Sequence, residues 1–396
     1  MIPTILEIDN GHIAVDGDFA NNLAAYLRHF DRVEVFCPPA ERVGSFPSLV
    51  DPETIIGSDR LNIEILPQPY REDRYLRHRA KVKRQLTQAL ERSRYRLISP
   101  HAPLSWSSLA AQICVSRGLK FDFEADWDLA TTSRFIISQM PRGLKKFHHK
   151  LRLELHLLHY RYLLRNSAVS LVQGQDVMEA YKDLAPNIHA VLNVQITARE
   201  RITSEELDAK VNHIGRAFPL RLTYAGRASE IKGPFIWLAT VKALKDRGVP
   251  FLATWLGEGE LIQEMRNFVS RHGLDDVCKL PGATSKDEVY RHLKATDLFM
   301  FCHMGYESPR NLMEAVANGA PLCGFGTPYS RGLVAPHGGG AFVERGDIDG
   351  LTDLVVKYHH DRNALIELVH ACAKSGTELD RDKAIERRIA LLKEFL

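Results

Sequence analysis

Two glutamates seven residues apart, Glu307 and Glu314, flank the start of a predicted helix. An apolar run at 297–302 predicts a buried strand before it, and Ser308 and Pro309 suit the N-cap and the first helical position. Both carboxylates can then face one side of a helix start whose backbone N–H groups attract anions. This combination predicts a nucleotide-sugar site. The alternative is an ordinary strand-to-helix turn with glutamates spaced by chance.

Three other predicted strand ends in the second half carry cations or glycines. Arg227 and Lys232 share one loop, where arginine can grip two phosphate oxygens through its planar fork and lysine acts as a point charge. Gly226 and Gly233 flank these cations. The turn that contains Gly257 and Gly259 would let a ligand approach the backbone, and the pair Pro281-Gly282 would offer backbone groups to a nucleobase. Taken singly, each loop is equally well a solvated surface turn. The succession of four such loops is what indicates one nucleotide-sugar site.

Regular alternation of strands and helices positions these loops. The second half predicts strands at 220–224, 251–256, 277–280, 297–302 and 320–325, separated by helices at 233–247, 260–272, 286–295 and 309–318. The first half opens with a predicted strand at 2–8, a loop to Gly17, a helix from Asp18 and a strand at 33–37. Such alternation predicts α/β domains whose ligand loops follow the strands' carboxyl ends. We interpret 197–219 as the linker between two domains.

The composition is that of a soluble globular protein, with 396 residues, 45% hydrophobic and 26% charged residues, and a net charge of +3. No apolar run approaches the roughly 20 residues that a membrane span requires. The N-terminus lacks the basic and apolar regions of a signal peptide. The six cysteines are scattered, without a Cys-x-x-Cys pair. These features favour a reducing cytoplasm and argue against a disulfide framework or a zinc site.

Two segments, 71–96 and 142–165, are strongly basic. The second also carries an apolar stripe at helical spacing, formed by Leu144, Phe147, Leu151, Leu155, Leu158 and Tyr162. One interpretation is contact with an anionic membrane surface or an anionic acceptor. The other is a core-facing helix with a solvated basic face. Nucleic acid is not an expected partner, because the sequence contains no recognisable nucleic-acid module.

The second half resembles the donor domain of the family 4 retaining glycosyltransferases, which have the GT-B fold: two Rossmann-like domains with parallel sheets facing an interdomain cleft. The resemblance covers residues 220–326 and rests on Gly226-Arg227, Lys232-Gly233, Gly257 with Gly259, Pro281-Gly282, and Glu307 through Glu314 to Pro321. The first half resembles the family only in its layout. The implied domains are 1–196 for the acceptor and 220–375 for the donor. A C-terminal helix, 376–396, is expected to pack back on the first domain.

On the donor side, the resemblance implies that Arg227 and Lys232 hold the diphosphate. Glu307 would face the transferred sugar, and Glu314 the ribose hydroxyls. The remaining donor-side candidates are Gly226, Gly257, Gly259, Gly282, Ser308, Pro309, Arg310, Asn311 and Leu312. The family commonly has glycines after its first glutamate, and Pro309 here removes one backbone donor. This departure leaves the sugar open.

On the acceptor side, family members often place a histidine near the reacting carbon of the sugar. Asp126, which follows the predicted strand 120–124, is the catalytic candidate for that place here. Gly17 and His101 are further acceptor-side candidates. No cofactor or metal is expected, and we interpret Asp126 and Asp128, which flank a tryptophan, as incidental rather than a metal motif.

The function implied by the resemblance is transfer of a hexose-type sugar, with retained anomeric configuration, from a nucleotide diphosphate sugar. The acceptor would be a lipid-linked or polysaccharide intermediate of a bacterial surface glycan. The expected location is the cytoplasm, peripheral on the inner face of the plasma membrane. Two alternatives remain open at this point: a GT-B nucleotide-sugar epimerase or hydrolase, and a catalytically silent nucleotide-sugar-binding scaffold.

Overall fold

The structure is a computed structural model that describes residues 6–9, 12–40, 48–68, 72–216, 219–305 and 308–396. The chain forms two compact units. Unit 1 comprises Met1–Leu192 and Asp382–Leu396, and unit 2 comprises Asn193–Arg381. Among the described residues, none of the helices combines the length and the apolar character that crossing a bilayer demands.

Unit 1 combines three sheets with helices on their connections. Its strands are β1 (Leu6–Asp9), β2 (His12–Asp16), β3 (Val33–Cys37), β4 (Leu49–Val50), β5 (Leu61–Ile65), β6 (Leu97–Ile98), β7 (Asp122–Ala125), β8 (Val169–Gln173) and β9 (Ile188–Val191). Its first helices are α1 (Gly17–His29), α2 (Glu72–Arg92), α3 (Trp106–Arg117), α4 (Leu129–Gln139), α5 (Leu144–Arg165) and α6 (Gly174–Tyr181). Strands β6-β7-β8-β9 form a parallel sheet, β3 pairs with β5 in parallel, and β1-β2-β4 is antiparallel.

The antiparallel pair of β1 and β2 corrects the predicted loop between the first strand and Gly17. Asp9 pairs with His12, so two residues connect the strands. The two connecting residues lie outside the described part of the chain. Helix α1 then begins directly after β2, where the Asp16 side chain caps it by accepting from Phe19 N.

Unit 2 is a regular α/β sandwich. Its strands are β10 (Leu220–Ala225), β11 (Phe251–Leu256), β12 (Cys278–Gly282), β13 (Leu298–Phe301), β14 (Leu322–Phe325) and β15 (Gly340–Val343). Its helices are α7 (Ser204–Gly215), α8 (Pro234–Asp246), α9 (Ile262–Arg271), α10 (Lys286–Ala295), α11 (Arg310–Ala317), α12 (Pro328–Val334), α13 (Ile348–His360) and α14 (Arg362–Gly376). The six strands are parallel in the order β12-β11-β10-β13-β14-β15. Every residue of β13 and β14 is buried, as expected for a sheet covered on both faces.

The segment 197–219, interpreted above as a linker, contains α7. Thr203 and Glu206 form a capping box at its start, each side chain accepting from the other residue's backbone N–H. Lys210 and Ile214 are buried in unit 2. Helix α7 is short and has few apolar residues, so its hydrophobic periodicity is weak. The prediction of a linker followed the polar composition of the segment instead.

The last helix, α15 (Arg381–Phe395), packs on unit 1. Leu392 lies in a cluster with Val169, Leu171 and Val191 of β8 and β9. Ile385 and Ile389 pack against Ala25 of α1. Apolar side chains on one face of α15 therefore fix it to the parallel sheet and to the first helix.

Candidate functional site

The carboxyl ends of parallel strands lie at one edge of a sheet, and in unit 2 the loops at that edge are bonded to one another. The backbone hydrogen bonds between loops are Ala228 N to Glu258 O (2.9 Å), Gly257 N to Gly282 O (2.8 Å) and Met304 N to Ile231 O (2.8 Å). They join the loop after β10 to the loops after β11 and β13, and the loop after β11 to the last residue of β12. The four loops singled out in the sequence therefore form one continuous rim.

Glycines make this loop packing possible. Gly257 has φ 135° and Gly233 has φ 64°, backbone conformations that other residues rarely adopt. A Cβ atom at Gly257 would clash with the carbonyl oxygen of Gly226, and one at Gly233 with that of Cys302. Gly226, Gly259 and Gly282 lie in the same rim against Tyr224, the Ala228 backbone and the Glu258 side chain, respectively. The structure thus gives these glycines a packing role, and their predicted role in donor binding stays a prediction.

Arg227 and Lys232 both lie in the loop between β10 and α8. Arg227 is exposed, and Lys232 is half-buried at the end of a 3₁₀ turn, Glu230–Lys232. Beside Lys232 is His303, which is buried and hydrogen-bonded to Tyr224 Oη over 2.8 Å. Burial, with Lys232 and Arg345 nearby, holds the pKa of His303 well below its usual value. The imidazole is therefore neutral at physiological pH and adds no positive charge beneath Lys232.

Helix α11 begins one residue later than predicted. Pro309, with φ −71° and ψ 129°, is the N-cap, so Ser308 lies outside the helix and is buried. No side chain among the described residues caps this end. The positive end of the helix dipole therefore favours an anion at this end of α11, although Leu312 N of the first turn already donates to Pro309 O over 3.3 Å.

Two hydrogen bonds fix the start of α11. Asn311 Nδ2 donates to the carbonyl oxygen of Ala225, the last residue of β10, over 2.6 Å. Tyr329 Oη, from α12, donates to the carbonyl oxygen of Pro309 over 3.3 Å. Asn311 thus orients the helix, and its predicted contact with a donor stays a prediction. Tyr329 was missed, because nothing in its local sequence distinguishes it from a core tyrosine.

The other residues predicted along α11 are distributed around the helix. Arg310 is exposed, Leu312 is buried in the core, and Glu314 is half-buried one turn into the helix. Glu307 lies outside the described residues. Of the two predicted carboxylates, only Glu314 is among the described residues.

Lys210 of α7 fixes the opposite end of α11 and was not predicted. Its buried Nζ donates to the carbonyl oxygens of Gly319 (2.7 Å), Asn318 (3.3 Å) and Leu293 (3.3 Å). Burial lowers the pKa of this lysine to about 7. A cation at the carboxyl end of a helix interacts favourably with its dipole. Helix α11 is thus fixed to the sheet at its start and capped at its end.

The three acceptor-side candidates belong to unit 1 and are not part of the unit 2 rim. Gly17 begins α1, and its N–H donates to Ser48 O over 3.1 Å. His101 accepts through its carbonyl oxygen from His156 Nε2, and burial lowers the pKa of both histidines. Asp126 is exposed directly after β7.

Asp128, two residues further along, has a structural role. Its carboxylate accepts from Ala130 N over 3.0 Å at the start of α4, and from Tyr181 Oη over 3.3 Å. This N-cap explains the second aspartate of the triplet without a metal.

Unit 2 therefore presents a rim of interconnected loops on a doubly covered parallel sheet, and unit 1 is a second α/β unit. Solved structures place the chain in the GT-B fold. It superposes with a TM-score of 0.68 and 15% identity over all of both chains on Anabaena HepE in complex with UDP and glucose. Sucrose-phosphate synthase from Thermosynechococcus elongatus gives a TM-score of 0.66 and 14% identity, covering 96% of this chain and 93% of that one.

Sequence comparisons cover part of the chain. Residues 207–379 match the family model of glycosyl transferases group 1. The amylovoran biosynthesis glycosyltransferase AmsK of Erwinia amylovora is 25% identical over 184 residues, which is 45% of each chain. The matched region thus spans less than half the length of this relative. The residues that match the family model lie within unit 2, which carries the rim.

Proposed function

We propose that the protein is a glycosyltransferase that moves a sugar from a nucleotide diphosphate sugar to a saccharide acceptor. The observation that carries the proposal is the rim of unit 2, which brings Arg227, Lys232 and the start of α11 to one sheet edge. The match of residues 207–379 to group 1 glycosyl transferases supports the same conclusion. The complex of HepE with UDP and glucose supports a nucleotide-sugar donor.

In the proposed reaction, the donor diphosphate binds between the two cations and the amides that begin α11. Arg227 grips two oxygens and Lys232 supplies a point charge. As the bond between the sugar and the phosphate breaks, negative charge grows on the departing diphosphate, and these positive groups stabilise it. Glu314 binds the ribose hydroxyls, and Glu307 is assigned to the transferred sugar from the sequence. This arrangement requires no metal ion or cofactor.

We further propose that the transferred sugar is a hexose and that its anomeric configuration is retained, as in family 4. The leaving phosphate would assist removal of the acceptor proton on the same face. Asp126, His101 and Gly17 remain the candidates on the acceptor side. The name of AmsK supports an acceptor from bacterial polysaccharide synthesis, and a cytoplasmic location agrees with such a donor.

Donor binding is tested by thermal shift with the diphosphates of uridine, guanosine and adenosine and with their sugars. One of them at a hundred times its dissociation constant should add about 2.7 kcal/mol of stability. Lys232→Ala should abolish the shift. Lys242→Ala is the matched control, because Lys242 lies on α8 and pairs with Asp246. Equal shifts for both variants would exclude the proposed diphosphate site.

Transfer itself is tested by analysing the products formed from the stabilising nucleotide sugar with and without a polysaccharide acceptor. Acceptor-dependent release of the nucleoside diphosphate, with a new glycosidic bond, is the expected result. Consumption of the donor without an acceptor would instead identify a hydrolase or an epimerase. Binding with no turnover under any acceptor would leave a nucleotide-sugar-binding scaffold, and either result would replace the transferase proposal.

A further inference from the structure

Helix α5 of unit 1 is apolar on two faces. One face is buried in unit 1, where it contributes Leu153, Leu157, Tyr160, Leu163 and Leu164. The other is exposed and is here called the outer stripe, which comprises Leu144 (79% exposed), Phe147 (61%), Leu151 (54%), Leu155 (60%), Leu158 (63%) and Tyr162 (51%). The sequence left open whether this stripe faces the core, and the structure excludes that interpretation.

The outer stripe is continuous and narrow. At about 100° per residue, its six side chains fall within an arc of roughly 80° on the side of α5 opposite the buried face. At about 1.5 Å per residue the stripe extends over roughly 27 Å. Scattered exposed leucines need no explanation, but an ordered apolar row of this length marks an interaction surface.

Basic residues border the outer stripe on both sides. Helical spacing places Lys145 and Arg152 along one border, and Lys150, Arg161 and Arg165 along the other. The helix contains one acidic residue, Glu154, which forms an ion pair with Arg134 of α4 at 3.3 Å. The surface thus combines an apolar centre with positively charged margins.

This combination discriminates between partners. A second copy of the chain pairing through the same stripe would bring the basic borders of two helices together, and the like charges would repel. An anionic bilayer complements both features, because its headgroups meet the cations while its acyl boundary accepts the apolar side chains. Long lysine and arginine side chains can reach headgroups while their stems lie along the apolar row.

We propose that the outer stripe of α5 is a membrane-contact surface, which lies in the interface of an anionic lipid bilayer with its apolar side chains at the acyl boundary. The proposal rests on α5 alone and not on the nucleotide-sugar rim. Helix α2 offers an internal comparison. It is also rich in exposed basic residues, but in its described part Leu76 is the one large apolar side chain that is exposed. Charge without an apolar row does not make an interfacial helix.

The test is flotation of the full chain with vesicles of phosphatidylcholine alone and with vesicles that also contain phosphatidylglycerol. The unmodified protein should float with the anionic vesicles and remain in solution with the neutral ones. Leu155→Gln with Leu158→Gln should weaken partitioning at least about tenfold, because two apolar side chains are lost from the interface. Leu76→Gln on α2 is the matched control and should change nothing. Thermal melting confirms that each variant is folded.

A second pair of variants separates charge from apolar contact. Lys145→Gln with Arg152→Gln should weaken binding to anionic vesicles roughly tenfold or more, since each cation near the surface contributes measurably. The proposal is overturned if the unmodified protein ignores anionic vesicles, or if the Leu155 and Leu158 variant floats as well as the unmodified protein. It is also overturned if light scattering shows a dimer that this variant dissociates, which would assign the stripe to a second copy. Donor binding by thermal shift is measured in parallel and should be unchanged in all these variants.

Discussion

Asn311 and Ala225 are joined by a 2.6 Å hydrogen bond from the asparagine side chain to the last carbonyl oxygen of β10. The bond ties the first turn of α11 to the strand whose following loop carries Arg227 and Lys232. The start of α11 is therefore held beside the beginning of the loop that carries the two cations. Pre-organisation of this kind reduces the ordering cost of binding an anion.

Replacing Asn311 should therefore affect binding as well as folding. Asn311→Ala removes one hydrogen bond and is expected to lower the free energy of unfolding by about 1–2 kcal/mol. The dissociation constant of the nucleoside diphosphate should rise by about tenfold, because the start of α11 is no longer fixed. Tyr329→Phe, which removes only the longer bond to Pro309, should have a smaller effect on both. Calorimetry and urea unfolding measure the two quantities, and unaltered affinity in Asn311→Ala would refute the positioning role.

A comparison of alanine variants at Gly233 and Gly248 tests the packing of the rim. Both have positive φ, 64° and 69°, so alanine costs each about 1 kcal/mol of backbone energy. A Cβ atom at Gly233 also clashes with Cys302, whereas one at Gly248 meets nothing within 4 Å. Gly233→Ala should therefore destabilise by at least about 2 kcal/mol more than Gly248→Ala in urea unfolding. Similar losses of unfolding free energy in the two variants would mean that the loop of Gly233 and the loop of Cys302 are not in contact.

Lys210 should make stability depend on pH. Its pKa is about 7 in the folded protein and about 10.4 when exposed, so the unfolded chain binds more protons between these values. Its contribution is consequently greatest above the unfolded value and is lost as pH falls toward 7. The difference in unfolding free energy between the unmodified protein and Lys210→Met should widen from pH 7 to 9, by at most about 1.4 kcal/mol per pH unit.

At pH 7, Lys210→Met should lower the free energy of unfolding by about 2–4 kcal/mol, because three buried carbonyl oxygens lose their hydrogen-bond donor. Urea unfolding at several pH values measures both effects. Lys242→Met supplies the control, because this lysine lies at the surface in an ion pair with Asp246. A difference that stays constant with pH would show that the ammonium remains charged in the fold.

Arg388 of α15 should be important for the stability of unit 1. It forms an ion pair with Glu124 of β7, and the two side chains are only 16% and 13% exposed. Burial raises the pKa of neighbouring Asp122, with the charge of Glu124 adding to the effect. Arg388→Met leaves buried negative charge uncompensated and should cost about 2–4 kcal/mol at neutral pH.

This loss should shrink in acid, because a carboxyl whose folded pKa is raised stabilises the fold at low pH and loses that contribution as pH rises. Thermal unfolding across the acidic range measures it. Arg387→Met, one residue away and exposed, should be nearly neutral. Glu124→Gln combined with Arg388→Met should recover part of the loss. If the double variant is no more stable than Arg388→Met, the pair is not the cause.

The alternation of unit 2 was predictable, and its strands between 220 and 325 lie within two residues of their predicted ends. Glycines and helix-capping residues bound the apolar runs there, so the ends of the strands could be located from the sequence. The same local reasoning could not find Asn311 bonded to Ala225 or Lys210 at the end of α11, because 86 and 109 residues separate the partners in these bonds. Nor could it choose between the two apolar faces of α5, since both have helical spacing and only tertiary packing selects one.

Unit 1 is interrupted in sequence, whereas unit 2 is one uninterrupted stretch from Asn193 to Arg381. Unit 2 is therefore a continuous segment inserted between the two parts of unit 1. An exchange of unit 2 between chains would have its two junctions after Leu192 and before Asp382. Unit 1 on its own would require Leu192 to be joined to Asp382, because it would otherwise lack α15, the helix that carries Arg388.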